Sequence, residues 1–215
     1  MRVAVFGGSF NPPHVGHQLA ALWVLETAGV DELWLIPALV HPFDKALAPF
    51  EDRFRMCERA AAALGPRVRV SDIEARLGGP SRTLRTIETL MEANPGVDFS
   101  LVIGADLVAE SSTWYGAERL RQVVPFIVVG RLGRGPSTVA DVAGGAAPEV
   151  GSDPVAIPDV SSTAIRAALE AGRLPRSWVP RSVLEYIVEH RLYGAEERAS
   201  AAAGTPASDG GDRDG

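Results

Sequence analysis

The chain has 215 residues, a formal net charge of −6 and a sequence pI of about 5.3. Hydrophobic residues make up 46% and no apolar run approaches the roughly 18–20 residues of a membrane helix, so a mostly disordered chain and a membrane-spanning one are both excluded. The acidic balance argues against a general nucleic-acid coat protein, yet leaves room for a local basic pocket that takes a small anion.

Met1 leads straight into a strand-like run with no basic n-region or apolar h-region, which predicts a cytoplasmic chain rather than a secreted one. Arg2–Gly7 is short, apolar and β-branched and is closed by glycines, the pattern of a buried strand. A helical pattern follows at Val15–Ala28, a strand at Glu32–Pro37 and a helix at Pro49–Leu64. That helix carries Cys57, the sole cysteine, so no intramolecular disulfide can form, and a buried structural thiol is expected. Strands at Arg67–Ile73, Asp98–Gly104 and Val123–Gly130 alternate with helices at Ser81–Ala93, Leu107–Ser111 and Gly116–Gln122. Leu132–Asp153, rich in Gly, Ala, Pro and Ser, reads as a long loop, with Pro154–Pro158 as a candidate sixth strand. Helices at Ser161–Ala171 and Pro180–His190 end the pattern. The expected organisation is one domain over 1–194 and a disordered tail over 195–215.

Alternating strands and helices predict an α/β fold: a doubly wound parallel sheet with helices on both faces, followed by C-terminal helices. Right-handed crossovers place the loops after the strands along one edge, where such sheets bind ligands.

The first of those loops, Gly7-Gly8-Ser9-Phe10-Asn11-Pro12-Pro13-His14-Val15-Gly16-His17, has the makings of a phosphate site. Glycines let an anion approach the main chain, and the following helix start presents N–H groups. It is not a GxGxxG loop, and the second strand ends in Leu35-Ile36-Pro37 without an acidic residue for a ribose, which weakens a dinucleotide-dehydrogenase reading. His14 and His17 lie three apart, poor spacing for zinc without nearby Cys or carboxylate, but good for hydrogen bonds to a phosphoryl group. Further on, Ser161-Ser162-Thr163 caps a helix that carries Arg166 one turn in, a combination suited to gripping polyphosphate. The cations number 20 Arg and one Lys, Lys45, so a compact point charge persists where a planar fork is the default.

These residues resemble a family. GGSFNPPHVGH is similar to the GxFxPxHxGH signature of the adenylyl- and cytidylyltransferases, and VSSTAIR to their ISSTxIR segment. Ile103-Gly104-Ala105-Asp106 with Trp114 resembles the IGAD…W segment of the bacterial nicotinate-nucleotide adenylyltransferases, and Val179 through Tyr193 resembles their VPxxVxxYIxxxxLY ending, read as packing. Pro80-Ser81-Arg82-Thr83-Leu84-Arg85-Thr86 resembles their SYTxDTL segment, with Arg82 in place of Tyr and Arg85 in place of Asp. Arg53 and Met56 match an RxxM element, and the resemblance spans about 1–194.

The resemblance implies a Rossmann-like fold and transfer of the adenylyl group of ATP to nicotinate mononucleotide, with Mg²⁺ accompanying ATP and no metal bound by the protein itself. His14, His17, Lys45 and Arg166 would carry the reaction. ATP would meet Gly7, Gly8, Ser9, Phe10, His17, Gly104, Asp106, Ser161, Ser162, Thr163 and Arg166. The mononucleotide would meet Ser9, Phe10, Lys45, Thr83, Thr86, Trp114 and Arg131. Nicotinamide mononucleotide and pantetheine phosphate are the alternative acceptors, and a nucleotide sensor without turnover is the alternative class. No nucleic-acid or membrane partner is expected, and self-association is left open.

Overall fold

The computed structural model describes residues 1–40, 47–130, 138–140 and 157–195, of which 138–140 are described as backbone only. The strands are β1 (Arg2–Gly8), β2 (Glu32–Pro37), β3 (Val68–Val70), β4 (Asp98–Gly104), β5 (Phe126–Val129) and β6 (Thr138–Ala140). The helices are α1 (Val15–Thr27), α2 (Phe50–Ala62), α3 (Ile73–Leu77), α4 (Thr83–Ala93), α5 (Ala117–Val123), α6 (Ser162–Glu170) and α7 (Arg181–Glu189).

The strands form one sheet in the order β3-β2-β1-β4-β5-β6. The first five are mutually parallel, and β6 runs antiparallel against β5. The sheet is therefore the parallel, doubly wound α/β sheet that alternation predicted. The order reverses between β1 and β4, the switch point where such sheets open a crevice beyond their carboxyl ends. Register brings the loop-bearing ends level there: Phe6 lies opposite Val102, Gly8 opposite Pro37 and Gly104 opposite Val129.

Burial on both faces explains the near-continuous apolar strands. Ala4, Leu33, Leu35 and Val102 pack beneath Ala21, Val24 and Leu25 of α1 and Cys57 and Ala61 of α2. Val3, Val5, Leu101 and Ile103 face the other way, onto Ile87 and Leu90 of α4 and Leu120 of α5. A third cluster joins Met56 and Ala60 of α2 to Ile165 and Leu169 of α6 and Val183 and Ile187 of α7, so the C-terminal helices are seated on α2. Burial pushes the Cys57 thiol well above its ordinary pKa, which keeps it protonated and inert.

Several details differ from the sequence reading. The sixth strand is Thr138–Ala140, inside the segment read as loop, while Ile157 contributes a single bridge through its N–H to the Gly130 carbonyl (3.0 Å). The Leu107–Ser111 helix is instead two 3₁₀ turns, Ala105–Leu107 and Glu110–Thr113. Helix α3 had no periodic signal because its five residues span barely more than one turn. Ala195 is buried, whereas the expected tail beyond it lies outside the described residues. Among the described residues no helix is long and apolar enough to cross a membrane.

Candidate active site

The first loop leaves β1 at Gly8 and enters α1 at Val15. A Cβ on Gly7 would enter open space, so its absence leaves bare main chain at the carboxyl end of β1. Phe10 adopts a left-handed φ of 46° although it is not glycine, and it is buried against Phe6 and His17, with ring centroids 5.7 and 4.9 Å away. A buried aromatic in that backbone region is held there by its surroundings.

Pro12 and Pro13, with their fixed φ, lead into His14, which caps α1 in an extended conformation. Its ring stacks on that of His17 at 3.7 Å between centroids. The main-chain N–H of His14 donates to His17 Nδ1 (3.1 Å). A nitrogen that accepts carries no proton, so this bond selects the His17 tautomer protonated on Nε2. A Cβ on Gly16 would lie 3.0 Å from His14 Nδ1, so this glycine makes room for the imidazole.

Asn11 sits at the centre of the loop with no exposed surface. Its Oδ1 accepts from the Ala48 N–H (3.0 Å) and from the Tyr193 hydroxyl (2.8 Å). Its main-chain carbonyl accepts from Arg166 Nη1 (2.9 Å), and the Pro12 carbonyl accepts from the Ser162 hydroxyl (2.9 Å). Ser161 caps α6 by accepting from the Ala164 N–H (3.1 Å). The distal Ser-Ser-Thr-x-x-Arg segment is thus docked against the first loop from about 150 residues away.

Arg53 is a buried cation, 1% exposed. It donates to the carbonyls of Ser9 (2.9 Å), Ala38 (2.7 Å), Leu39 (3.2 Å) and Ala48 (2.9 Å). One guanidinium therefore ties the loop after β1 to residues on either side of the 41–46 segment. Asn11, Arg53 and Tyr193 were not among the residues expected at the site. Arg53 had a signal: it shares the helix face of Met56 and Cys57, where a solvated arginine has no place.

On the far side of the switch point, β4 ends in Gly104, and Asp106 folds back so that its Oδ1 occupies the space a Cβ on Gly104 would need. Trp114 is half-buried against the core beneath α4 and α5. The Arg82 guanidinium lies over the Tyr115 ring, 4.1 Å from its centroid. Arg85 is engaged elsewhere, donating to the carbonyls of Leu77 and Gly78 (3.0 Å each) at the end of α3. Thr83 opens α4 and is half-buried. Thr86 is buried, and its hydroxyl turns inward to Glu74 and the Arg82 carbonyl, which corrects the expectation that this hydroxyl meets a ligand. Lys45 and Arg131 lie outside the described residues.

Residues 5–168 match the cytidylyltransferase-like family. A probable nicotinate-nucleotide adenylyltransferase of Anaeromyxobacter dehalogenans is 47% identical over 194 residues, 89% of this chain and 96% of that protein. One of Myxococcus xanthus is 38% identical, over 90% of this chain and 95% of its own. The chain belongs to the nicotinate-nucleotide adenylyltransferases. The nicotinic acid mononucleotide adenylyltransferase of Plasmodium falciparum, solved in complex with NaAD, shares the fold, with a TM-score of 0.72 at 18% identity over 91% of this chain and 98% of that one. As a nicotinate-nucleotide adenylyltransferase this chain is a nucleotidyltransferase, and its HVGH loop and SSTAIR helix meet at the sheet's switch point.

Whether a resident metal fits can be asked of the donor set. Among the described residues no three His, Cys, Asp or Glu side chains are grouped so as to hold an ion. The site offers imidazole, guanidinium and hydroxyl groups, which suit phosphate better than a cation.

Proposed function

We propose that the chain transfers the adenylyl group of ATP to nicotinate mononucleotide, forming nicotinate adenine dinucleotide and pyrophosphate in NAD biosynthesis, and that residues 1–194 are the nucleotidyltransferase domain. The observation that carries this reading is the docking of Ser162 and Arg166 onto the carbonyls of Pro12 and Asn11, five and six residues before His17. It assembles the family's two phosphate motifs into one site.

The nucleophile is the mononucleotide's phosphate, already anionic at neutral pH. No protein base and no covalent intermediate are needed, so the tasks are alignment and stabilisation of charge. His17, with its proton on Nε2, donates to the α-phosphate, and His14 stacks beside it to hold the ring. Gly7, Gly8, Ser9 and Phe10 line the approach, while Ser161, Ser162, Thr163 and Arg166 take the β- and γ-phosphates. Gly104 and Asp106 meet the nucleotide from β4. Thr83, Trp114, Lys45 and Arg131, with Ser9 and Phe10, take the mononucleotide. Mg²⁺, accompanying ATP and held by phosphate oxygens and water, would supply neutralisation of the polyphosphate charge.

Release of pyrophosphate from ATP, assayed with nicotinate mononucleotide, nicotinamide mononucleotide and pantetheine phosphate in turn, tests the reading. Turnover highest with the nicotinate form supports it. Preference for another acceptor overturns the substrate, and ATP binding with no release for any acceptor favours a sensor.

A further inference from the structure

The chain from Arg191 to Gly194 is unusual. Arg191 and Tyr193 hold left-handed φ angles of 51° and 56°, followed by Gly194 at 70°. Two L side chains in a region they avoid require something that keeps them there. The ring of Tyr193 packs on the cluster of α2, α6 and α7, and its hydroxyl reaches across 182 residues of sequence to Asn11 Oδ1 (2.8 Å).

That oxygen has two acceptor positions, and both are used, by Tyr193 and by the Ala48 N–H (3.0 Å). A flipped carboxamide would point its NH₂ at the Ala48 N–H, so that bond sets the orientation of Asn11, and the Tyr193 hydroxyl donates to the oxygen thus presented. The same residue's carbonyl seats Arg166 (2.9 Å). Burial raises the Tyr193 pKa, so its hydroxyl stays a proton donor throughout the working range.

We infer that Tyr193 is a positioning residue for the phosphate site: its hydroxyl holds Asn11, and Asn11 holds Arg166 in place for the polyphosphate of ATP. This rests on the reading above that Arg166 takes the β- and γ-phosphates.

A built-in control exists in Tyr186, on the neighbouring helix, whose hydroxyl makes a bond of similar length to Asp52 Oδ1 (2.9 Å) rather than to the first loop. Tyr193→Phe and Tyr186→Phe are compared in the full chain by melting temperature, KM for ATP and for nicotinate mononucleotide, kcat, and Mg-ATP affinity by titration calorimetry. Tyr193→Phe should weaken Mg-ATP binding and raise KM for ATP about fivefold, the equivalent of one hydrogen bond, with the mononucleotide KM within about twofold. Tyr186→Phe should lower the melting temperature alone. Tyr193→Phe with unchanged Mg-ATP affinity, or with both substrates weakened in parallel, overturns the inference. Absence of turnover in the unmutated chain would count against the proposed function, while calorimetry would still decide the role of Tyr193.

Discussion

The two sides of the switch point are built differently. On the β1 side the backbone is pinned from three directions: α6 through Ser162 and Arg166, α2 through Arg53, and the residues after α7 through Tyr193. Arg53 is buried, and Ser162, Arg166 and Tyr193 are half-buried. On the β4 side the chain runs through two 3₁₀ turns and an exposed Arg82–Tyr115 stack, with Tyr115 62% exposed. The phosphate chemistry is shared by every reaction of this type and tolerates little displacement of its donors. The acceptor is what differs between such reactions, and of the residues proposed to take it, Thr83 and Trp114 lie on the side with fewer constraints. The two departures from the SYTxDTL pattern, Arg82 and Arg85, both fall on that looser side.

The sharpest way to break this contrast is to remove the pin with most bonds. Arg53→Met leaves four carbonyls short of donors and should cost on the order of 4 kcal/mol of stability by urea denaturation. A loss below about 1 kcal/mol would show that the tight side is not held this way. Next, His17→Ala should lower kcat by about 100-fold or more with the fold intact, as removal of one transition-state donor does. Near-normal turnover would take His17 out of the reaction. Gly16→Ala pushes a methyl group against the His14 ring, and stopped-flow turnover should fall on the order of tenfold through misplaced imidazoles. An unchanged rate would mean the ring has slack. The smallest effect is expected on the loose side. Arg82→Ala removes one exposed cation–π contact worth about 1 kcal/mol or less, so the mononucleotide KM should move by at most about fivefold while KM for ATP stays put. A larger change in KM for ATP would erase the distinction between the sides.

Much of this was legible in the residues. Hydrophobic runs and glycine punctuation placed five parallel strands, and the HVGH and SSTAIR segments pointed at one another before their contact was seen. What escaped follows from physical causes. Helix α3 is too short to show a period. Strand β6 is only three residues long, set in a stretch rich in Gly, Ala, Pro and Ser. Asn11 accepts from the Ala48 N–H 37 residues away, Arg53 donates to the Ser9 carbonyl 44 residues away and Tyr193 to the Asn11 amide oxygen 182 residues away, and composition carries no trace of such pairings. The C-terminal Leu-Tyr ending looked like packing because its neighbours have helical apolar spacing. Its hydroxyl, the one polar atom on that ring, makes the contact that spacing does not reveal.

The bond between Tyr193 and Asn11 also has a consequence for how the molecule is made. The first loop is complete once about seventeen residues have been synthesised, but its last partner emerges only with residue 193. A ribosome-bound or prematurely terminated chain can form the early strand and helix, yet it holds a phosphate loop with its central amide unclamped. The last clamp on the loop therefore arrives late, when the far end of the polypeptide closes on the near one, and a chain that stops short of residue 193 would take up ATP more weakly than the complete one.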